Sequence, residues 1–216
     1  MRADTDLSVL AWIIDFARDA LTSRSRRRLR GAFGQTALAL DLDAELGGGR
    51  TARVFGTLRG YPVALRLTAR GPRDDGTVAE VDVSSGLPPG LGLRVRVDAT
   101  PSQVALAIDP ELDRALVLTG DATRWLTLLD APTRRRVRRL LPDGLSLQDG
   151  WLRVSVPERV EDAARLQRWL RELAALAEDL DLTRRPLALR LLQGARQAPE
   201  AAERVRCLTA LAAGGV

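Results

Sequence analysis

The sequence predicts an α+β protein: an antiparallel sheet packed by two or three helices, with an N-terminal helix and a C-terminal helical tail. Three observations predict it. Apolar residues recur at three- and four-residue spacing near both ends of the chain. They alternate with polar residues through its middle. The strand-like segments also come in runs rather than one by one between helices, the pattern of a segregated fold. With 216 residues, 45% of them hydrophobic, the chain is long enough for one well-buried core. On this reading residues 1–30 are an amphipathic helix and a basic linker, 31–183 the α+β core, and 184–216 the helical tail.

Residues 6–21 read as the first helix. Leu7, Leu10, Ile13, Ile14, Ala17 and Leu21 share a stripe, Trp12 and Phe16 widen it, and Asp6 is placed to cap it. Arg24, Arg26, Arg27, Arg28 and Arg30 follow as a solvated linker. From residue 37 to residue 97 the period is two. Segments 54–59 and 62–69 flank a turn at Arg59-Gly60-Tyr61-Pro62, and 77–83 and 91–97 add further strands. Taken as neighbours, these strands oppose Arg66, then Glu80 and Asp82, then Arg94 and Arg96 on the solvent face. Such pairs contribute roughly 0.2–1 kcal/mol each.

Asp109-Pro110-Glu111 reads as a turn before a short strand at 115–119. Asp121 caps a helix carrying Trp125, Leu128 and Leu129, and Pro132 opens the next, which runs through Arg134-Arg135-Arg136-Val137-Arg138-Arg139. Asp149-Gly150 centres a hairpin over 145–156. Residues 157–180 form the clearest helix, with Glu158, Glu161 and Asp162 at its start, where the macrodipole favours acids. Helices over 186–198 and 200–213 complete the chain.

The absences narrow the chemistry. The chain has no histidine, lysine or asparagine, and Cys207 is its single cysteine. Imidazole relays, Schiff-base lysines, a P-loop lysine, disulfides within the chain and nitrogen–sulfur metal sites are therefore excluded. No cofactor is expected, and no catalytic residue is assigned. A carboxylate-pair hydrolase remains chemically allowed. The all-arginine basic complement follows from the codons of a GC-rich, bacterial-type genome, so the net charge of +5 points only weakly to nucleic acid. No signal peptide or membrane-spanning run is read, which predicts a cytoplasmic protein.

Residues 56–150 resemble a bacterial family of uncharacterised proteins. The resemblance is carried by Gly56, Gly60-Tyr61-Pro62-Val63, Pro110, Leu112-Asp113, Leu116-Val117, Thr119-Gly120-Asp121, Leu129, Arg134, Leu140 and Asp149-Gly150. Some members are attached to membranes, and some are followed by HEAT-like helical repeats, of which residues 199–208 resemble a second helix. The resemblance implies an order of elements and a scaffold; it supplies no functional residue.

Four groups are candidates. Trp12, Ile13, Phe16, Trp151, Leu192, Leu208 and Leu211 are the expected interface to another protein or a second copy, because single helical pairs rarely bury both faces. Arg24, Arg26, Arg27, Arg28 and Arg30, next to residues 7–21, are the alternative: contact with an anionic surface by an adaptor peripheral to the inner membrane. Arg134–Arg139 is expected to be a solvated helix face rather than a phosphate site. Asp109, Glu111, Asp113 and Asp121 are read as turn and cap residues rather than metal ligands. The expected function is a non-enzymatic interaction or scaffold module within a larger bacterial assembly.

Overall fold

The computed structural model describes residues 24–47, 52–69, 75–96, 109–184, 186–198 and 201–213. The predicted helix over residues 6–21, with Trp12, Ile13 and Phe16, lies outside them. The fold is α+β, as expected: an eight-stranded antiparallel sheet with helices at both ends of the sequence.

The first described element is a helix, α1 (residues 24–40), where the sequence suggested a basic linker and the start of strand. The reason is the residues beneath the arginines. Leu29, Ala32, Phe33, Thr36 and Ala37 fall on one helical stripe and are all buried, so an apolar face holds the basic run in register.

Strands β1 (Asp43–Leu46), β2 (Ala52–Leu58), β3 (Tyr61–Ala69) and β4 (Asp75–Asp82) form an antiparallel meander. The β2–β3 turn is Arg59-Gly60, with positive φ at both residues, the conformation that lets a two-residue turn follow strand twist. Then come β5 (Gly92–Val95), α2 (Pro110–Ala115), β6 (Leu116–Thr119), α3 (Ala122–Leu128) and α4 (Ala131–Leu140). Helix α2 occupies the expected turn: the Asp109 carboxylate accepts from the Leu112 N–H and Pro110 sits in the first turn. Asp-Pro suits a helix start as well as it suits a turn. Asp121 and Asp130 cap α3 and α4 in the same way. After a 3-10 turn at Leu141–Asp143 come β7 (Leu145–Gln148) and β8 (Trp151–Val156), joined by Asp149-Gly150, again with both φ positive.

Helix α5 (Ala163–Leu180) starts six residues later than the periodicity suggested. The preceding chain is held extended by β4: the Thr77 hydroxyl donates to Glu158 O and accepts from the Val160 N–H. Asp162 then caps the helix. The chain closes with α6 (Leu187–Gln197) and α7 (Ala201–Ala213).

Strand order is β1-β2-β3-β4-β8-β7-β5-β6. The β7–β8 hairpin therefore inserts between β4 and β5, and the expected opposition of Glu80 and Asp82 to Arg94 and Arg96 does not occur. Glu80 instead lies between Arg66 on β3 and Arg153 on β8, at 3.1 and 3.2 Å. The opposite face of the sheet, with Val54, Leu65, Val81, Val154, Leu147 and Leu93, packs into one apolar core with Phe33, Trp125, Leu140, Trp169 and Leu173 from the helices.

Replacing Glu80 with Arg should set three guanidinia together and lower stability by about 2 kcal/mol. Arg94→Glu, at an exposed position distant from Glu80, should stay within about 0.5 kcal/mol of wild type. Denaturant midpoints at low salt would check both; equal losses would contradict the observed strand order.

Candidate interaction surfaces

Helices α6 and α7 are joined through residues 198–200 and pack on each other and on α3. Their close approach rests on Gly194. A Cβ there would lie 2.7 Å from Cys207 Sγ, so only glycine lets the two helices meet without a shift. Cys207 is buried, as its apolar surroundings in the sequence suggested, and burial raises its thiol above the ordinary value, with the Glu203 charge adding to the shift. It is a packing residue, with no thiolate character to support nucleophilic chemistry.

The buried underside of the pair is fixed by one polar junction. Arg134 on α4 makes a bidentate contact with Glu203 on α7, at 3.1 and 3.0 Å, donates to Leu129 O at 3.0 Å, and faces Asp109 at 3.4 Å. All three charged side chains are buried. Of the arginines within Arg134–Arg139 only Arg134 is buried; Arg135, Arg138 and Arg139 are exposed, as a solvated face requires, and Arg136 is half-buried. Arg136 binds Asp179 and Glu172 of α5, Arg139 binds Glu172, and Arg138 binds Asp109 and Glu111. Of the expected acidic group, Asp109 and Asp121 cap α2 and α3, and Asp109 and Glu111 meet Arg138.

The outer side of the hairpin carries exposed apolar residues, interrupted on α6 by exposed Gln193, Arg196 and Gln197. Leu189 (61% exposed), Leu192 (37%), Val205 (60%) and Leu208 (55%) are four of the six large hydrophobic residues that are exposed among the described residues. On α7 the outward positions Ala201, Val205, Leu208 and Ala212 recur at spacings of four, three and four, with no charge among them. Among the expected interface residues, Leu192 and Leu208 lie on this surface, Leu211 is half-buried at its margin, and Trp151 sits apart from it. Trp151 is half-buried on β8, with the Arg153 guanidinium 5.9 Å from its ring centroid.

The second surface is α1. Arg24, Arg26, Arg27, Arg28 and Arg30 are all exposed, and among the described residues none has a carboxylate partner. The neighbouring Ser25 hydroxyl donates to Glu161, and the Thr36 hydroxyl to Ala163 O at 3.4 Å; both ties hold the helix beside the start of α5. Leu38, 87% exposed, continues the arginine-bearing side.

A third cluster was not anticipated from sequence. The Tyr61 hydroxyl donates to the Asp181 carboxylate at 2.7 Å, although 120 positions separate them. Asp181 also accepts from the Thr183 hydroxyl and N–H, and Arg184 stacks 4.9 Å from the Tyr61 ring. Burial, reinforced by the Asp181 hydrogen bond and charge, pushes Tyr61 far above the ordinary phenol value against the opposing Arg184. Burial alone would raise Asp181, but hydrogen bonds from Thr183, Tyr61 and the Arg184 N–H outweigh it and hold the carboxyl low. The cluster clasps the end of α5 to the β2–β3 hairpin. Gly86 lies against it so closely that a Cβ would fall 2.4 Å from Asp181 Oδ1.

Each buried carboxylate is similarly held: Glu80 by Arg66 and Arg153, Asp143 by Arg165 and Arg168, Asp109 and Glu203 by Arg134. These are bracing contacts, although Asp109 also lines, with Glu111, Arg114, Arg135 and Arg138, an open cleft of about 540 Å³. An open cleft of about 450 Å³ lies between the Pro88-Pro89-Gly90 loop and the Asp149-Gly150 turn. Asp149 is its one ionisable residue. No helix among the described residues is long and apolar enough to cross a membrane. No protein family, curated protein or solved structure matches the chain.

Glu203→Ala should cost about 3 kcal/mol, because it removes a bidentate partner from a buried guanidinium and leaves it only Asp109 and Leu129 O. Hydrogen exchange should rise first in α6 and α7; uniform exchange across the chain would show that the junction is not what holds the pair.

The chain's single tyrosine makes the clasp directly measurable. Tyr61 has a folded value above its unfolded one, so its contribution is complete below the ordinary phenol range and is lost as pH rises through the folded value. Asp181 is depressed, so its contribution is present above the ordinary carboxylate range and lost as pH falls through the folded value. Phenolate absorbance should therefore appear only as the protein unfolds in alkali. Asp181→Asn should bring it to lower pH and flatten the acid limb of the stability profile. Ordinary phenol titration in the folded wild type would contradict the clasp.

Proposed function

We propose that this chain is a non-enzymatic protein–protein interaction module, and that its partner presents an acidic amphipathic helix to the outer face of α6–α7. The observation that carries the reading is α7 itself. A helix apolar on two sides belongs inside a protein, yet here Cys207 faces the core while Ala201, Val205, Leu208 and Ala212 face solvent. Leu189 and Leu192 are exposed on α6 beside Gln193 and Arg196, and exposed apolar surface rimmed by polar groups marks interaction sites. Laying an amphipathic helix on such a face is a recurrent recognition mode.

Charge selects the partner's chemistry. Arg184 is held by Glu178 and Asp181 and Arg190 is buried, but Arg196 is exposed on the outer face of α6. Arg204 and Arg206 lie on either side of the α7 stripe. Two copies meeting through this face would bring arginine rims together, whereas a helix with acidic flanks complements them.

Capture from the native host should recover a stoichiometric partner with the wild-type chain. Cross-links should join α7 to an acidic helical segment of that partner. Val205→Glu and Leu208→Glu should abolish recovery with melting temperature unchanged, since both positions are exposed. Recovery indifferent to both substitutions would overturn the reading. So would a homodimer, seen by light scattering, that the substitutions dissociate.

A further inference from the structure

We infer that the solvent face of α1 is a docking site for an anionic phospholipid bilayer. The inference is independent of the hairpin's partner. Arg24 and Arg27 lie opposite the buried stripe of Leu29, Ala32, Phe33 and Thr36, and Arg26, Arg28 and Arg30 flank it, all five exposed. Elsewhere arginines brace the fold through carboxylates, as Arg134, Arg136, Arg165 and Arg168 do. Here the sequence supplies no acid between Asp19 and Asp41. The carboxylate nearest the basic end from a packed element is Glu161, which accepts from Ser25. The helix therefore concentrates positive charge, and its buried face fixes which way that charge points.

Two features select a bilayer over another polyanion. Leu38 is 87% exposed on the same side, about three turns beyond Arg27 and Arg28. A phosphate backbone offers such a leucine nothing, whereas a bilayer interface takes guanidinia at headgroup depth and apolar side chains just below. The face also lacks the aromatic platforms used to stack bases, because Phe33, the helix's one aromatic residue, is fully buried.

The test uses the full chain sedimented with vesicles of pure phosphatidylcholine and with vesicles of equal parts phosphatidylcholine and phosphatidylglycerol. Partitioning should favour the anionic vesicles and weaken with salt. A basic side chain near such a surface contributes about a five-fold factor, so Arg24→Gln/Arg27→Gln/Arg28→Gln together should weaken partitioning about a hundred-fold. Because these side chains brace nothing among the described residues, the melting temperature should not move. Leu38→Gln should weaken partitioning several-fold while leaving its salt dependence intact. Equal partitioning to both vesicle types, or full partitioning by the triple variant, would overturn the inference. Tighter, arginine-dependent binding to duplex or single-stranded oligonucleotides than to the anionic vesicles would overturn it as well.

Discussion

The contact on which the C-terminal part of the fold depends is the guanidinium of Arg134, buried between Glu203 and Asp109. A charge at that depth is tolerable only with partners on several sides, and here the partners come from elements far apart in sequence. Asp109 belongs to the start of α2, Glu203 to α7, and Leu129 O to the end of α3. Arginine can serve all of them because its planar fork offers several donors in fixed directions, which an ammonium cannot do. One side chain thereby makes α6–α7 part of the body of the protein. The exposed leucines on the far side are then held in place, and a surface held in place is less costly to bind than one that must first be ordered.

Two arginine runs have similar composition and opposite fates. In residues 134–139 the helix presents its arginines to α5 and α7, where Glu172, Asp179 and Glu203 meet them. In residues 24–30 the helix turns Leu29 and Phe33 to the core and leaves its arginines outward. Local sequence hardly distinguishes these cases, since both runs interrupt the basic residues with one apolar side chain. The difference lies in which elements fold against each helix. Acids are supplied from α5 and α7 in one case and by almost nothing in the other.

Legibility in the sequence followed the range of the interaction concerned. The Asp149-Gly150 turn, the hairpin around residues 59–62, the cap at Asp121 and the segregation of strands from helices are local, and each could be read directly. Strand order could not, because placing β7–β8 beside β4 depends on matching Val81 and Ala79 to Leu152 and Val154 across some 70 residues. Nor could the later start of α5, which Thr77 enforces from another strand. The Arg134 junction and the Tyr61–Asp181 clasp are invisible for the same reason. A compositional hint existed: in a chain whose bases are all arginine, buried carboxylates must find either guanidinia or hydroxyl and amide donors. The apolar residues of α6 and α7 were legible as a group, but periodicity alone could not say which would face outward.

The two proposed surfaces occupy opposite ends of α5. Helix α1 is tied to residues 161–163, just before and at the first turn of α5, through Ser25 and Thr36. The α6–α7 pair follows its last turn, where Leu182 N–H donates to Gly86 O and Tyr61 and Thr183 clasp Asp181. Eighteen helical residues extend about 27 Å at 1.5 Å per residue. That separation exceeds the roughly 8 Å screening length at physiological salt, so the charge of α1 does not bias what binds at the hairpin. On these two proposals, a flat lipid surface at one end would leave the other end free to receive a helix. The long helix would then serve as a spacer, its ends fixed by the Asp181 clasp and by the ties to α1, holding a bound partner at a set distance from the membrane.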